Sequence, residues 1–450
     1  MAPLLPLPGS PASSWGMFRS RLGAIFSGAD PRVCAAFWLF GLINNVLYVM
    51  ILVAALDLVG PAVPKGAVLL ADITPSLITK LCAPYFIHAI PYRVRVPILV
   101  TLSTSGMLLI ALSPANTERS SIMSKMVGIM LSSLSSGAGE LSFLGLTHFY
   151  GPFSLAAWGS GTGASGLIGA GTYTLATTSL GFSVRGTLLA SAMWPAVMII
   201  SFFFVLPQGP LLVMAQQSRA ARKDSVSIEK GGHVASEGLL EKSSSFGPGK
   251  DAKPTFAQKK DLGGWNQFQA NLRRAKSLFI PFMVPLLLVY IAEYTINQGV
   301  APTLLFPIHE TPFTHFRAFY PAYNGIYQIG VFVSRSSTPF FRIRSLYKPS
   351  LLQVLNLTIL TLHSLFNILP NIYIVFLIIF WEGLLGGVVY VSTFREISER
   401  VPKEDREFSL GATTVSDAAG ICAAGFFGMA FEVWLCDWQV AHGRKFCTQL

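Results

Sequence analysis

Charged residues are scarce in this sequence. Only 12% of its 450 residues are Asp, Glu, Lys or Arg, whereas 52% are hydrophobic, and the mean hydropathy is +0.54. Soluble domains carry about 25% charged residues, and half that share cannot solvate the surface of so long a chain. The scarcity therefore excludes an array of soluble domains, a secreted disulfide scaffold and a nucleic-acid-binding protein. It predicts a polytopic membrane protein.

Cysteines and catalytic motifs are also scarce. The five cysteines have no CxxC spacing, and we interpret them as small buried hydrophobes rather than a metal site or a disulfide framework. The sequence has neither GxSxG nor HExxH, and its seven histidines are spread along the chain. We therefore expect no enzymatic activity, no cofactor and no metal site.

Long apolar runs are abundant. A bilayer core of about 30 Å needs roughly 20 apolar residues per helix, and eleven runs approach that length. They are continuous rather than short and alternating, so they predict an all-α bundle rather than a barrel. The predicted spans are 33–59, 66–90, 96–113, 121–142, 154–175, 186–206, 277–298, 323–340, 350–368, 371–394 and 408–435.

Two polar segments set the predicted domain organisation. Residues 1–32 contain four prolines and no signal-peptide pattern, which predicts a flexible cytosolic tail. Residues 207–276 have the composition of a long disordered loop. This loop separates an N-terminal six-helix half (33–206) from a C-terminal five-helix half (277–435), and a short tail (436–450) follows.

The distribution of basic residues predicts the orientation. With the N-terminus in the cytosol, the cytosolic segments hold 25 Lys and Arg and the opposite side holds six, as the positive-inside rule requires. This bias explains the net charge of +11 without a nucleic-acid partner. Eleven spans then place the C-terminus on the luminal or external side. Two halves joined by a long cytosolic loop predict a major-facilitator-like architecture.

Polar and ionisable side chains in or beside the spans are the candidate functional residues. Charge inside a bilayer is costly and tends to face the bundle interior or a water-filled path, although a structural ion pair is an alternative for each residue. The candidates for binding substrate or a proton are Glu293, Asp417, Asn297, Asp72, Lys80, Glu140, Glu382 and His148.

Glu293 is the strongest of these candidates. It lies deep in the seventh span and shares a helix face with Asn297, and such a carboxylate can bind a proton or a cationic substrate. Asp72 and Lys80 lie on broadly one face of the second span, too far apart to pair directly. Each is therefore expected to meet a partner on another helix. Asp417 belongs to a polar face of the last span, which is typical of a cavity lining.

The remaining candidates have structural interpretations of equal or greater weight. Glu382 precedes a glycine run that favours close helix packing, so it is interpreted as a hydrogen-bond acceptor at a packing site. Glu140 is predicted to end the fourth span and His148 to lie in the turn beyond it. A proton relay between them is possible chemistry, but a structural histidine is favoured. The glycine-rich run 159–166 lacks the ending of a phosphate loop, and helix packing is favoured there.

The last four residues, beginning at Cys447, have the formal pattern of a geranylgeranylation signal. The predicted placement of this end lies away from the cytosolic prenyl transferases. We therefore favour a chance match over lipidation, and a miscounted span is the alternative.

Several long stretches resemble the battenin family. They occur in collinear order from about Cys34 to Asp437, the long loop excepted. The stretches are GAVLLADITPSLITKLCAP (66–84), GAGELSFLGLTHFY (137–150), GSGTGASGLIGAGTY (159–173), EYTINQGV (293–300), YQIGVFVSRSS (327–337), EGLLGGVVYVSTF (382–394) and EDREFSLGATTVSDAAGI (404–421).

This resemblance implies a major-facilitator-like bundle in the vacuolar or lysosomal membrane. It further implies roles in vacuolar pH homeostasis and in transport of basic amino acids such as arginine, with glycerophosphodiester export as an alternative taken from animal relatives. The expected partners are a small solute, protons, membrane lipid and the vacuolar proton pump or trafficking proteins. A non-transporting scaffold that regulates that pump or trafficking remains the competing interpretation, based on the long basic loop.

Overall fold

The structure is a computed structural model that describes residues 20, 23–54, 58, 65–85, 87, 90–114, 119–213, 264–444 and 446–449. Most of the predicted tail and most of the predicted loop lie outside the described residues. Two compact units are present, one formed by Met1–Leu206 with Ala275–Leu450 and the other by Pro207–Arg274. The first unit contains the helices of the two halves.

Six long helices form the described part of the N-terminal half. The Asp30 carboxylate caps the first of them by accepting a hydrogen bond from the Arg32 N–H, 2.9 Å. Between the fourth and fifth helices Gly151 adopts a φ of 83°, which allows an immediate turn. The bounds are α1 Pro31–Val53, α2 Lys65–Cys82, α3 Tyr92–Leu112, α4 Arg119–Tyr150, α5 Pro152–Thr174 and α6 Val184–Val205.

Five further helices form the described part of the C-terminal half. The first is preceded by a helix at Gly264–Leu278 and is flanked by π turns at Phe279–Met283 and Ile296–Val300. Asn371 caps the fourth by accepting from the Ile374 N–H, 3.1 Å. The bounds are α7 Val284–Thr295, α8 Phe319–Ser336, α9 Tyr347–Phe366, α10 Ile372–Arg400 and α11 Lys403–Ala441.

Each of the eleven predicted spans coincides with helix within the described ranges, and a turn at residues 192–195 interrupts the sixth. The fourth is longer than predicted, because the buried residues Phe143, Leu144 and Leu146 continue the helix to Tyr150. Glu140 therefore lies well inside α4 rather than at its end. The turn predicted at His148 is wrong, since this residue is in the last helical turn.

The apolar surface supports the membrane assignment. Among the described residues, eight helices are long and apolar enough to cross a bilayer, and they do not include α2, α5 or α8. These three helices contribute polar side chains to the interior between the halves. Large apolar side chains point outward from the bundle, as lipid contact requires. Examples are Ile98, Leu112, Phe204, Leu355, Leu377 and Phe427.

Glycine contacts fix the packing of α5 against α1. A β-carbon at Gly161 would collide with the Trp38 carbonyl, and one at Gly41 would collide with the Trp158 carbonyl. Only glycine allows these two backbones to approach so closely. The packing interpretation of the small-residue run at 159–166 is thus confirmed.

The two halves meet along α2 with α11 and along α5 with α8. At the second interface the hydroxyls of Ser160 and Ser336 are 2.9 Å apart. A further contact joins α3 to the start of α11, where the Tyr92 hydroxyl donates to Glu407, 2.7 Å. These contacts hold the halves around a central space.

The cysteine interpretation is wrong at the C-terminus, where Cys436 and Cys447 form a disulfide. A turn at Gly443, with φ 83°, brings the chain back so that the two residues meet, which linear spacing does not reveal. The three free cysteines are not fully buried either, because Cys34 and Cys422 are half-buried and Cys82 is exposed.

Candidate functional site

A polar cavity lies between the two halves. It holds about 110 Å³ of space that water-sized groups can occupy. Side chains from both halves line it, including five that carry charge and five tyrosines. The charged residues are Asp72, Lys80, Glu140, Arg335 and Asp417, and the tyrosines are Tyr48, Tyr290, Tyr294, Tyr327 and Tyr390.

Lys80 is the centre of an ion-pair triad that joins the halves. Its Nζ is 2.6 Å from Glu140 Oε2 on α4 and 3.0 Å from Asp417 Oδ1 on α11. All three residues are buried. The expectation that Lys80 meets a partner on another helix is confirmed. One cation between two carboxylates leaves the triad with one formal negative charge when all three groups are ionised.

A hydrogen-bond chain extends the triad across the interface. The Trp158 indole N–H donates to the Tyr390 hydroxyl, 3.1 Å, and this hydroxyl donates to Glu140 Oε1, 2.7 Å. The chain connects α5, α10 and α4. Glu140 is thus held by Lys80 on one oxygen and by Tyr390 on the other, which fixes its position.

Arg335 is the second cation of the cavity. Its guanidinium donates to the hydroxyls of Thr162, 2.8 Å, and Tyr290, 3.2 Å, and stacks over the Tyr390 ring at 4.3 Å. Its Nε has no hydrogen-bond partner. Within the described residues, no carboxylate forms an ion pair with it. Arg335 is therefore positioned by neutral groups and retains capacity to bind an anion.

Asp72 is the cavity carboxylate without an ionic partner among the described residues. It is 3% exposed, and its Oδ2 accepts no hydrogen bond. Within the part of the chain that the structure describes, the expected ionic partner for Asp72 on another helix is not found. The Ser133 hydroxyl on α4 also contacts the backbone of α2 beside Pro75, because it accepts from the Ser76 N–H, 3.1 Å, and donates to the Asp72 carbonyl.

Glu293 lies behind the cavity wall. The hydroxyl of Tyr327, which lines the cavity, donates to Glu293 Oε1. Glu293 Oε2 has no hydrogen-bond partner among the described residues. It packs against Gly386, where a β-carbon would collide with it. The glycine run of α10 therefore makes room for this carboxylate, which reaches the cavity through Tyr327.

Glu382 and Asn297 interact one helical turn away from the contact between Glu293 and Gly386. The Asn297 amide donates to Glu382 Oε1, 3.3 Å, across the same α7–α10 interface. Glu382 is fully buried, and it is not among the residues that line the cavity. Its predicted role as an acceptor at a packing site agrees with this contact.

His148 is not brought together with Glu140. Eight residues along α4 correspond to about 12 Å, and the carboxylate of Glu140 is already bound by Lys80 and Tyr390. His148 instead lines a second pocket, at the α4–α5 turn, together with Arg395 and Arg406. The geometry gives no direct relay between the two residues.

Arg335 and the tyrosines are site residues that sequence reasoning missed. The predicted eighth span, 323–340, contains Arg335, but the count of basic residues places Arg335 on the cytosolic side, and it is not among the candidates. In the structure it lies in the last turn of α8, which ends at Ser336, and it lines the cavity. The available signal was an arginine in a stretch where apolar and small polar residues alternate.

Comparison with known proteins agrees with this architecture. The sequence profile of the CLN3 protein family matches residues 35–438. The chain is 65% identical to protein btn1 of Aspergillus fumigatus, with 100% of this chain and 98% of that protein covered. It is 57% identical to protein btn-1 of Neurospora crassa, with 99% and 97% covered.

A solved structure shows a similar fold at low identity. A bacterial homologue of the human lysosomal transporter Spinster, in an inward-facing and unoccupied conformation, aligns with a TM-score of 0.52 and 13% identity. The alignment covers 92% of this chain and 86% of that one.

Two helical halves around a central polar cavity define a polytopic membrane protein with a major-facilitator-like fold. Within that class, the chain belongs to the CLN3 family, the battenins. The family expected from the collinear sequence stretches is confirmed.

Proposed function

We propose that this protein transports a basic amino acid, arginine foremost, across the vacuolar membrane by alternating access. One observation carries the proposal: Asp72 and Arg335 line the same cavity, and neither has an ionic partner among the described residues. A buried charge is stabilised by an opposite charge. A zwitterion supplies both, because its ammonium group can pair with Asp72 and its carboxylate with Arg335.

The charge balance of the cavity favours a cationic side chain on that zwitterion. Three carboxylates, Asp72, Glu140 and Asp417, face two cations, Lys80 and Arg335. With all five ionised, the lining carries one net negative charge. A basic amino acid carries one net positive charge and neutralises it, whereas a neutral amino acid does not. The tyrosine faces can also bind a guanidinium group through cation–π contacts.

A glycerophosphodiester with a quaternary ammonium group is the second candidate. The five tyrosines favour it, because aromatic rings bind such cations, and Arg335 can bind the phosphate. Glycerophosphocholine is net neutral, however, and leaves the negative charge of the lining uncompensated. For this reason we place it behind arginine.

We further propose that Glu293 binds a proton during the transport cycle, which would connect transport to vacuolar pH. The support is its position: it is buried behind the cavity wall and accepts a hydrogen bond from the hydroxyl of Tyr327, which lines the cavity. A fluorescent fusion should mark the vacuolar membrane. Deletion of the gene should shift vacuolar pH measured with a ratiometric dye, and restored wild-type protein should reverse the shift.

Purified protein in liposomes tests the proposed substrate. We expect saturable uptake of labelled arginine, inhibited by lysine and much less by glycerophosphocholine. Asp72→Asn and Arg335→Gln should each reduce uptake by about tenfold or more, the effect of losing a charged hydrogen bond. Asp437→Asn, on the exposed surface of α11, is the matched control and should transport normally.

Two results would redirect the proposal. Uptake of glycerophosphocholine without arginine would assign the cavity to phosphodiesters. No uptake of either solute by well-folded protein would contradict the transport proposal and favour a scaffold.

A further inference from the structure

The C-terminal segment folds back on the end of the C-terminal half. After α11 ends at Ala441, the chain turns at Gly443 and forms a short 3-10 helix at Phe446–Gln449. Cys447 in this helix is bonded to Cys436 in the last turns of α11. The disulfide closes a loop of about a dozen residues at one end of the bundle.

Non-covalent contacts seat this loop independently of the disulfide. The Arg444 guanidinium donates to the Ser364 carbonyl, 2.8 Å, and to the Leu365 carbonyl at the end of α9. The Phe446 ring lies 5.3 Å from the Phe316 ring, in the segment before α8. Cys447 and Phe446 also pack on the apolar cluster there. The segment therefore covers one end of the C-terminal half.

Basic residues are concentrated at the opposite end of the same half. The end covered by the segment lies at the C-terminus of α9 and the N-termini of α8 and α10. The basic residues in its described loops are Arg317 and Arg444. The other end is formed by the α8–α9 loop, the C-terminus of α10 and the N-terminus of α11. Their basic residues are Arg342, Arg344, Arg395, Arg400, Lys403 and Arg406. The positive-inside rule places that end in the cytosol and the covered end on the other side.

We infer that residues 436–449 form a luminal cap, closed by a Cys436–Cys447 disulfide that forms in the secretory pathway. Two observations converge on this assignment. Protein disulfides persist in oxidising compartments and are rare in the cytosol. The charge distribution independently puts the same end of the bundle outside the cytosol. The inference does not depend on the proposed substrate.

The modification is a thiol–disulfide exchange. The thiolate of Cys436 or Cys447 attacks the disulfide of a luminal oxidoreductase and forms a mixed disulfide. The second thiolate then displaces the enzyme sulfur and completes the Cys436–Cys447 bond. The two protein thiols lose two electrons and two protons, and the disulfide of the oxidoreductase is reduced to two thiols.

The cap has a direct consequence for Cys447. Prenylation needs a free thiol accessible to a cytosolic transferase, whereas this sulfur is bonded and on the luminal side. The formal prenylation signal at the C-terminus is therefore unused in this chain.

Mass tagging of the full-length protein tests the bond. Free thiols are blocked with N-ethylmaleimide in denaturant, the protein is reduced, and new thiols are tagged with a polyethylene glycol maleimide. We expect two reductant-dependent tags on wild type, two on the matched control Cys422→Ser and none on Cys447→Ser. Because wild type itself is measured, misfolding of a variant leaves the test intact. No reductant-dependent tag on wild type overturns the inference.

Protease protection tests the side of the membrane. In sealed microsomes, an epitope tag after Leu450 should resist added protease until detergent is supplied, while a tag at the N-terminus should be cleaved at once. Cleavage of the C-terminal tag without detergent overturns the inference. Incorporation of a labelled isoprenoid at Cys447 overturns it as well.

Discussion

At the scale of single residues, the cavity combines charges that neutralise each other with charges that do not. Lys80 is bound on both sides by Glu140 and Asp417 and stabilises the interface. Asp72 and Arg335 are not paired with an opposite charge among the described residues. This division suggests different roles: the triad holds the halves together, and the two unpaired groups bind the solute.

Removal of Lys80 should destabilise the protein. Lys80→Met leaves two buried carboxylates without their cation, which costs about 3–5 kcal/mol. Combining it with Glu140→Gln and Asp417→Asn removes the charges and should restore most of the lost stability, but not transport. Thermal unfolding in detergent measures the effect, with the exposed Lys348→Met as control. If Lys80→Met alone is as stable as wild type, the structural role of the triad is refuted.

Neutralising Glu293 should stop net transport without unfolding the protein. Glu293→Gln keeps the shape of the side chain beside Gly386 but cannot release a proton, so arginine uptake should fall about tenfold or more. In Glu382→Gln the amide oxygen can still accept from Asn297, and uptake should change little. Liposome uptake compares the two. Normal flux in Glu293→Gln with normal expression would eliminate the proposed role.

At the scale of helices, the sequence predicts more than it does at the scale of the site. The eleven helices could be predicted because a long apolar run is a local signal. The triad could not, since Lys80 and Asp417 are 337 residues apart and pair only when α2 packs on α11. The cavity position of Arg335 could not be predicted for a similar reason: whether an arginine near a helix end faces solvent or a cavity depends on the neighbouring helices.

The α1–α5 contact gives a prediction at this scale. Gly161→Ala places a methyl group against the Trp38 carbonyl and should destabilise the protein by about 1–3 kcal/mol. Gly171→Ala in the same helix meets nothing within 4 Å and should be tolerated. The melting temperatures of both variants in detergent check this. An equal fall in melting temperature in both variants would show that the close backbone approach is not the reason why alanine destabilises position 161.

Alternating access requires that α5 and α8 separate during transport. Because the Ser160 and Ser336 hydroxyls are 2.9 Å apart, a Ser160→Cys/Ser336→Cys variant should cross-link on oxidation and lose uptake until a reductant is added. The two single variants, oxidised in the same way, are the controls. Full transport by the cross-linked protein would mean that this interface stays closed throughout the cycle.

At the scale of the whole molecule, charge is the basis of both the predicted orientation and the proposed function. Basic residues in the loops predict which face is cytosolic, and five of the charged residues inside the bundle line the cavity between the halves. The disulfide-closed segment at the other end of the C-terminal half agrees with the same orientation. The sequence composition thus indicates a membrane protein, while the cavity indicates what kind of solute it can carry.

The most direct test of the account is arginine counterflow by the purified protein. Liposomes are loaded with unlabelled arginine and diluted into a trace of labelled arginine, with equal pH on both sides. Exchange of the label then requires only a cavity that opens alternately to each face. We predict a transient accumulation of label that is absent in Asp72→Asn and present in Asp437→Asn. No accumulation by folded wild-type protein would contradict the central claim that this cavity carries a basic amino acid.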